Sequence, residues 1–376
     1  MNVLCMPQAF KGSLAAPAAA RAMVRGVLLV APDAQAQALP MADGGDDTLD
    51  VLIGATDGQR FTIVAQDPLL RPVEADWGVL GDGETVIIEM AQASGLRLLA
   101  FQDLAPKQTS TYGTGQLLHA GLEAGYRRFI VGVGGSATVD AGTGAATALG
   151  VRFLDAAGRE LPPGGGALAQ LTSIDRSGLD RRWSKAEVHV ACDVDMPLCG
   201  PRGAGLFAPQ KGASPGVVRE LEQALLHFCV VLEQATGINL RDMPMAGPSG
   251  GLAGMLHAVL GAHLRRGSEL ILDLAGLGDR IPGADLVIVG EGTMDWGSFE
   301  GKGPSVVAAR ARDAGVPVLA VVGQLADDSP PLDPWGIRDV EPLMAHAPSP
   351  EYAQRHAEAL VEMATEQVVR RYLRTA

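Results

Sequence analysis

Three lysines stand beside glycine, in Phe10-Lys11-Gly-Ser, Gln210-Lys211-Gly-Ala and Gly301-Lys302-Gly-Pro. A flexible ammonium on such a turn can reach a phosphate or a carboxylate, although each one taken singly reads as an exposed turn lysine. Carboxylates recur in loops of the same kind: Asp43 and Asp46, Asp140, Asp193 and Asp195 after Val-Ala-Cys, and Glu291 and Asp295 in Gly290-Glu-Gly-Thr-Met-Asp. Hard oxygen donors at strand ends suit Mg2+ bridging nucleotide phosphates, and one ionised carboxylate can take a proton from a substrate hydroxyl. Any single Asp beside Gly reads first as a helix cap or turn former; four such loops together are harder to dismiss as caps alone. Arg202, in Gly-Pro-Arg-Gly, can clamp a carboxylate by two parallel bonds. None of the seven histidines falls in a glycine-rich loop, so an aspartate is the expected general base.

The sharpest local signal is the run from Phe129 through Gly132, Gly134, Gly135, Ser136 and Thr138 to Asp140 and Gly142. It reads as a buried strand passing into glycines and small hydroxyls at the start of a helix, a turn that aims backbone N–H groups at an anion. Gly132-x-Gly134-x-x-Ala137 also matches the dinucleotide fingerprint, with Asp155 at the spacing of a ribose-binding acid. An NAD(P)-dependent oxidoreductase using the Gly132 loop, and a tight turn with no ligand, therefore stand beside the phosphate reading. A Walker A loop is excluded: Trp296 occupies the place of its first glycine before Gly301-Lys302, and Gly303 follows where Ser or Thr is required.

These loops need elements to hold them. Residues 2–6 read as a strand, then a loop carrying Lys11 and Ser13, then an alanine-rich helix over 15–30. A second loop with Asp43, Asp46 and Asp47 precedes a helix from about Thr48. Short runs at 61–65, 73–79 and 85–90, separated by Asp67-Pro68 and Gly81-Asp-Gly83, predict an antiparallel meander. A parallel or mixed sheet continues through 129–133 and 188–192, followed by a long helix over 215–235. Buried-strand runs return at Asp285-Leu-Val-Ile-Val-Gly and Val316-Pro-Val-Leu-Ala-Val-Val-Gly. The expected fold is α/β with two domains. Residues 1–60 and 280–376 form a doubly wound Rossmann-like domain from both chain ends, residues 61–279 form an inserted mixed α/β domain, and the active site is expected in the cleft between them. A final helix over 351–373 covers one sheet face, and Pro162-Pro-Gly-Gly-Gly reads as a surface loop.

Bulk properties agree with that class. Hydrophobic residues make up 47% of the 376-residue chain and aromatics only 4%, so the core is aliphatic, as in helices packed on a parallel sheet. The net charge of -13 repels phosphate backbones and anionic lipid, which argues against nucleic acid and membrane partners. Cys5, Cys192, Cys199 and Cys229 lack metal-ligand spacing and read as reduced thiols, and the chain is expected to be cytoplasmic.

The string of loops resembles the bacterial glycerate kinases related to the glycerate 2-kinases. The matching segments are Phe10-Lys-Gly-Ser-Leu, Pro40-Met-Ala-Asp-Gly-Gly, Thr109-Ser-Thr-Tyr-Gly-Thr-Gly, Gly134-Gly-Ser-Ala-Thr-Val-Asp-Ala-Gly, Ala191-Cys-Asp-Val with Pro197-Leu-Cys-Gly-Pro-Arg-Gly-Ala, Pro209-Gln-Lys-Gly-Ala and Gly290-Glu-Gly. They fall in the family's order and span nearly the whole chain. The resemblance implies ATP-dependent phosphorylation of D-glycerate, most often at the 2-hydroxyl, with Mg2+, on a two-domain α/β fold, with monomer and homodimer both open. It implies Asp193 as base, with Lys11 and Asp43 also catalytic. Gly134, Gly135, Ser136, Thr138, Lys211, Glu291 and Lys302 are then expected on the nucleotide, Ser13, Arg202 and Asp295 on the acid, and Asp43 and Asp295 near the metal. Departures from the family pattern are Gln8-Ala9 for Asp-Ser, Gly45-Asp-Asp-Thr for Gly-Glu-Gly-Thr, Thr293 for Arg, and Asp295-Trp-Gly-Ser for Asp-x-Gln-Ser/Thr. They bear on which acid is accepted, and a related small hydroxy acid or a non-catalytic relative remain alternatives.

Overall fold

A computed structural model of the chain describes residues 1–299 and 301–375. The chain divides into two compact units, one made of Met1–Asp43, Asp50–Ala55 and Arg266–Ala376, the other of Gly44–Leu49 and Thr56–Arg265.

The first unit is built on five parallel strands in the order Ile337–Pro342, Val318–Leu325, Leu286–Met294, Asn2–Pro7, Gln35–Ala38. The central strands are apolar on both faces because helices cover both. Val3, Cys5, Leu286, Ile288, Leu319 and Val321 pack with Met23, Val27, Val361 and Val368, while the intervening Leu4, Met6, Val287 and Val289 are equally buried. Helix Ala16–Val30 lies against helix Ala357–Thr375 so closely that a Cβ on Gly26 would come 2.4 Å from the Glu362 carbonyl oxygen. The expected single C-terminal helix is two, Pro350–Arg355 and Ala357–Thr375. His356 leaves helical geometry at φ -118° while its ring stacks on Tyr352.

Strand order places the first unit's chemistry. Starting from Asn2–Pro7 the chain moves outward to Gln35–Ala38, then returns to the other side at Leu286–Met294 and continues outward. The reversal falls between Asn2–Pro7 and Leu286–Met294, where the loops leaving neighbouring strands diverge and open a crevice at the carboxyl ends. Lys11 lies on the turn that follows the first of those strands, and Glu291 lies in the C-terminal half of the second.

The second unit has six strands in the order His263–Arg265, Glu187–Ala191, Arg128–Gly132, Thr85–Glu89, Pro72–Val79, Gln59–Gln66. The first four run parallel and the last two complete the antiparallel meander read from the sequence. Phe129, Val131, Val188 and Val190 join Leu117, Leu118 and Leu122 of helix Tyr112–Glu123 in its core. Each such fully buried side chain contributes about 1.5–3 kcal/mol relative to exposure. A second cluster gathers under helix Pro215–Thr236, the long helix expected near 215–235.

The Pro162-Pro-Gly-Gly-Gly segment is a correction. Its prolines are exposed, but Gly164 and Gly165 are buried, with backbone oxygens of Lys107 and Val139 where a Cβ would stand (2.4 and 2.0 Å). The glycines are there for close packing rather than for a solvent loop.

Candidate active site

In the second unit the loops converge at the carboxyl ends of the parallel strands. Gly44 sits at φ +91°, and a Cβ there would lie 2.3 Å from the Ala191 carbonyl oxygen; its own carbonyl accepts from Gly134 N at 2.8 Å. Only glycine permits that approach, and it seats the Gly44–Leu49 segment against strands Arg128–Gly132 and Glu187–Ala191. Asp193 follows Ala191 by two residues and is half-buried.

The strand ending at Gly132 does not enter a helix directly. Ten loop residues, from Val133 to Gly142, precede the six-residue helix Thr143–Ala148. The dinucleotide fingerprint needs a tight strand-to-helix turn, so its reading fails here. Asp155 fails with it: its carboxylate accepts from the backbone N–H groups of Ala157 and Arg159 and pairs with the Arg159 guanidinium, closing a turn of the small Arg152–Leu154/Ser173–Asp175 ribbon.

Lys211, from the turn Pro209–Lys211, reaches into the ten-residue loop and is its central contact. It is 3% exposed, and its Nζ donates to Ser136 Oγ and to the Thr138 carbonyl oxygen, both at 2.7 Å. Burial lowers its pKa to about 7, opposed by the charge of Asp140. The Thr138 hydroxyl is buried with no hydrogen-bond partner. The hydroxyl therefore keeps its hydrogen-bonding capacity for an occupant of the loop, on the residue whose carbonyl already holds the buried amine.

Asp140, read from the sequence as a carboxylate for chemistry, serves the loop instead. One oxygen accepts from Thr111 N (2.8 Å), Thr111 Oγ1 (2.9 Å) and Gly144 N (3.2 Å), the other from Gly142 N (3.1 Å). Burial raises its pKa, and those four bonds oppose the rise. The Thr109-Ser-Thr-Tyr-Gly-Thr-Gly motif thereby acquires a role: Thr109 Oγ1 donates to the Ala137 carbonyl and Thr114 Oγ1 to Ser94 Oγ, fixing the backbone that carries Ser136 and Thr138.

Sequence reasoning missed Glu89. It ends the apolar strand Thr85–Glu89 beside Gly132 in register, and it is 1% exposed. Its Oε2 accepts from Leu49 N at 3.1 Å, and Arg97 Nη2 lies 3.7 Å from Oε1. Burial pushes its pKa up to about 7, with Asp46 and Asp47 adding to the rise. The available signal was a carboxylate closing a wholly apolar strand immediately before Met-Ala. Asp47, at the departure from the family's usual glycine, adopts φ +69°, the left-handed conformation that glycine would take without strain.

Arg202 is exposed on the turn after Cys199, away from the buried Lys211 cradle in character if not in chain order. Gly135 keeps its place beside the Asp46 carboxylate, whose Oδ1 would stand 3.2 Å from a Cβ.

In the first unit, Phe10 is buried and anchors a tight turn: Phe10 N donates to the Leu14 carbonyl and Ser13 N to the Phe10 carbonyl. Lys11 projects from this turn into solvent, whereas the Ser13 hydroxyl donates to the Phe10 carbonyl at 2.9 Å. Ser13 therefore holds the turn that presents Lys11. Glu291 is 6% exposed, with Oε1 buried and lacking a hydrogen-bond partner among the described residues. Burial pushes its pKa up to about 7; a hydrogen bond with Ser298 and the charges of Lys302 and Lys11 oppose that rise, and Asp295 adds to it. Asp295 Oδ1 accepts from Ser298 N at 3.0 Å, capping the turn Trp296–Phe299. A Cβ on Gly297 would stand 3.1 Å from Asp295 Oδ1 and 3.3 Å from Lys302 Nζ, so the glycine leaves room for both charged ends. Asp43 is half-buried after Leu39 and Met41, which continue beside strand Asn2–Pro7 through bonds to the Cys5 and Pro7 carbonyls.

The sequence matches the family model described as "Glycerate kinase family" over residues 3–373. It is 44% identical over 363 residues to the glycerate kinase of Bacillus subtilis (strain 168), covering 96% of this chain and 95% of that one. It is 42% identical over 329 residues to the glycerate 2-kinase of Escherichia coli (strain K12), covering 87% and 86%. A crystal structure of a protein assigned as glycerate kinase 2 from Salmonella typhimurium LT2 superposes with a TM-score of 0.84 at 36% identity, covering 100% of this chain and 99% of that one.

Proposed function

The chain belongs to the glycerate kinase family, a family of small-molecule kinases, and from that premise we propose that it transfers the γ-phosphoryl group of ATP to the 2-hydroxyl of D-glycerate, with Mg2+. The observation that carries the reading is the buried Lys211, bonded to Ser136 and beside the orphan Thr138 hydroxyl in a glycine loop. A buried amine poised near neutrality gains its proton when an anion arrives, and it then holds phosphoryl or carboxylate oxygens without long-range reorganisation.

The residues of the first unit fit a magnesium ion. Among the described residues no three His, Cys, Asp or Glu gather into a ready cation cage, but Mg2+ keeps water and takes phosphate oxygens beside one or two carboxylates. Asp43 and Asp295 would hold it, Asp295 lying within the electrostatic reach of Glu291. Once bound, the ion would offset charge on the transferring phosphoryl group. Lys11 and Lys302, with the nearby Glu291 carboxyl keeping their field local, bind anionic oxygens. Asp193 accepts the proton of the attacking hydroxyl, and Arg202 takes the carboxylate of the acid in a bidentate pair. A cytoplasmic location suits an ATP-dependent enzyme in which none of the four cysteines forms a disulfide among the described residues.

The test is purified protein with ATP, Mg2+ and D-glycerate, ADP release being followed against a panel of small hydroxy acids and the product assigned by phosphorus NMR. Acid-dependent ADP with a 2-phosphoglycerate signal is the expected result. A 3-phosphoglycerate signal overturns the regiochemistry, faster turnover of another acid overturns the acceptor, and no acid-dependent ADP overturns the activity.

A further inference from the structure

Two thiols with no part in that chemistry lie side by side in the second unit. Cys199 Sγ and Cys229 Sγ are 3.5 Å apart, although 30 residues separate them in sequence. Cys229 stands on the buried face of the 22-residue helix Pro215–Thr236, beside Phe228 and Leu232. Cys199 belongs to the turn that carries Arg202. That turn is closed by Gly203 N donating to the Gly200 carbonyl and Ala204 N to the Leu198 carbonyl, with Gly200 at φ +96°. The other two cysteines are placed differently. Cys5 is fully buried in the inner strand Asn2–Pro7 of the first unit, and Cys192 has its sulfur against the Val194 backbone.

We propose that Cys199 and Cys229 form a reversible disulfide with a peroxide as oxidant. The Cys199 thiolate attacks the peroxide O–O bond and becomes a sulfenic acid while hydroxide leaves. The Cys229 sulfur then attacks the Cys199 sulfur, losing its proton and displacing the sulfenic hydroxyl as water. In sum, two thiols and one hydrogen peroxide give one disulfide and two waters, the thiols losing two electrons that the peroxide gains. Cys199 is the sulfur oxidised first: it is the more exposed of the pair (6% against 3%), and the hydrogen bond it shares with Cys229 and the nearby Arg241 cation hold its pKa below the usual thiol value. Cys229 is pushed up, first by that same bond and then by burial. Cys199, 6% exposed on a turn whose neighbours Gly200 and Arg202 are exposed, is within reach of a molecule as small as hydrogen peroxide.

Bond formation requires the sulfurs to close from 3.5 Å to about 2.05 Å. A helix of six turns packed in a core resists that movement, and a glycine turn does not. The segment that moves is therefore the Cys199 turn, and Arg202 moves with it. Cys199 and Cys229 form no disulfide in the structure, and in the cytoplasmic location proposed above a transient, sensing disulfide is the expected form rather than a permanent one.

The full chain is treated with hydrogen peroxide, alkylated in denaturant, and its thiols are counted and its peptides mapped. The expected count falls from four to two, with Cys199 and Cys229 peptides linked and the count restored by dithiothreitol. Four surviving thiols, or a link through Cys5 or Cys192, overturns the proposal. C229S provides the second arm: without its partner the Cys199 sulfenic acid is expected to advance to sulfinic acid, and an unmodified Cys199 in that variant overturns the order of attack. The KM for the acid is expected to rise severalfold on oxidation. That last expectation rests on the role proposed for Arg202, so an unchanged KM with linked peptides overturns that role and leaves the thiol pair standing.

Discussion

At the scale of single residues, Lys211 makes the strongest demand. Its pKa near 7 in the free protein means that the cationic form, needed to hold an anion, is lost as pH rises through that value. The pH profile of kcat/KM is therefore expected to descend above about pH 7. Lys211→Arg, permanently charged, removes the descent even if the overall rate is lower. Lys211→Met is expected to lower kcat/KM by about 10²–10³-fold, the scale of one lost oxyanion donor. A wild-type profile flat to pH 9 would remove Lys211 from the chemistry. Asp193→Asn is expected to cost about 10²–10⁴-fold in kcat with an unchanged unfolding midpoint, since a general base contributes on that order. Asp140→Asn should behave oppositely: an amide N–H turned against the donors of Thr111 or Gly142 costs about 1–3 kcal/mol of stability, read by urea denaturation. The lysines and carboxylates beside glycine were visible as residue types. Which of them act on a ligand and which tie loops was not, because capping and catalysis use the same carboxylate.

At the scale of elements, glycine and strand order do the positioning. Gly44 meets the Ala191 carbonyl where a side chain would begin. Gly44→Ala combines left-handed backbone strain with that collision and is expected to lower stability by more than ~2 kcal/mol and to abolish turnover. A Gly44→Ala protein with the wild-type urea midpoint would contradict the packing described. The strands and the long helix were legible because apolar runs and their period survive in the sequence. The delayed helix after Gly132 was not: Val133 to Gly142 has the composition of a helix start, and what postpones the helix is the Asp140 carboxylate binding Thr111, a residue 29 positions earlier.

At the scale of the whole molecule, three buried titrating groups set a pH signature. Glu89 and Glu291 have folded pKa values near 7 against an ordinary 4.5. Between those values the folded protein keeps protons that the unfolded chain has released, so stability falls as pH rises through that window, by about 3 kcal/mol per group at most. Lys211 works in the reverse sense. Its folded value near 7 lies below 10.5, so between them the unfolded chain binds the extra proton and stability rises with pH. Their sum is a minimum near pH 7, expected as the lowest urea midpoint of the ligand-free protein. Glu291→Gln and Glu89→Gln each flatten the acid side, and Lys211→Met flattens the alkaline side. A midpoint that peaks at pH 7 and is unmoved by all three variants would contradict the burial of these groups.

The sequence by itself determined the α/β class, the meander, the glycine loops that carry lysine and aspartate, and the resemblance to glycerate kinases, because each rests on local period or on collinear motifs. Tertiary structure alone decided that Lys211 is buried against Ser136 and Thr138, that Glu89 and Glu291 are held at the edge of ionisation, and that Cys199 meets Cys229. Those properties arise from desolvation and from contacts between segments 30 to 75 residues apart, and no spacing along the chain encodes how much water a side chain keeps.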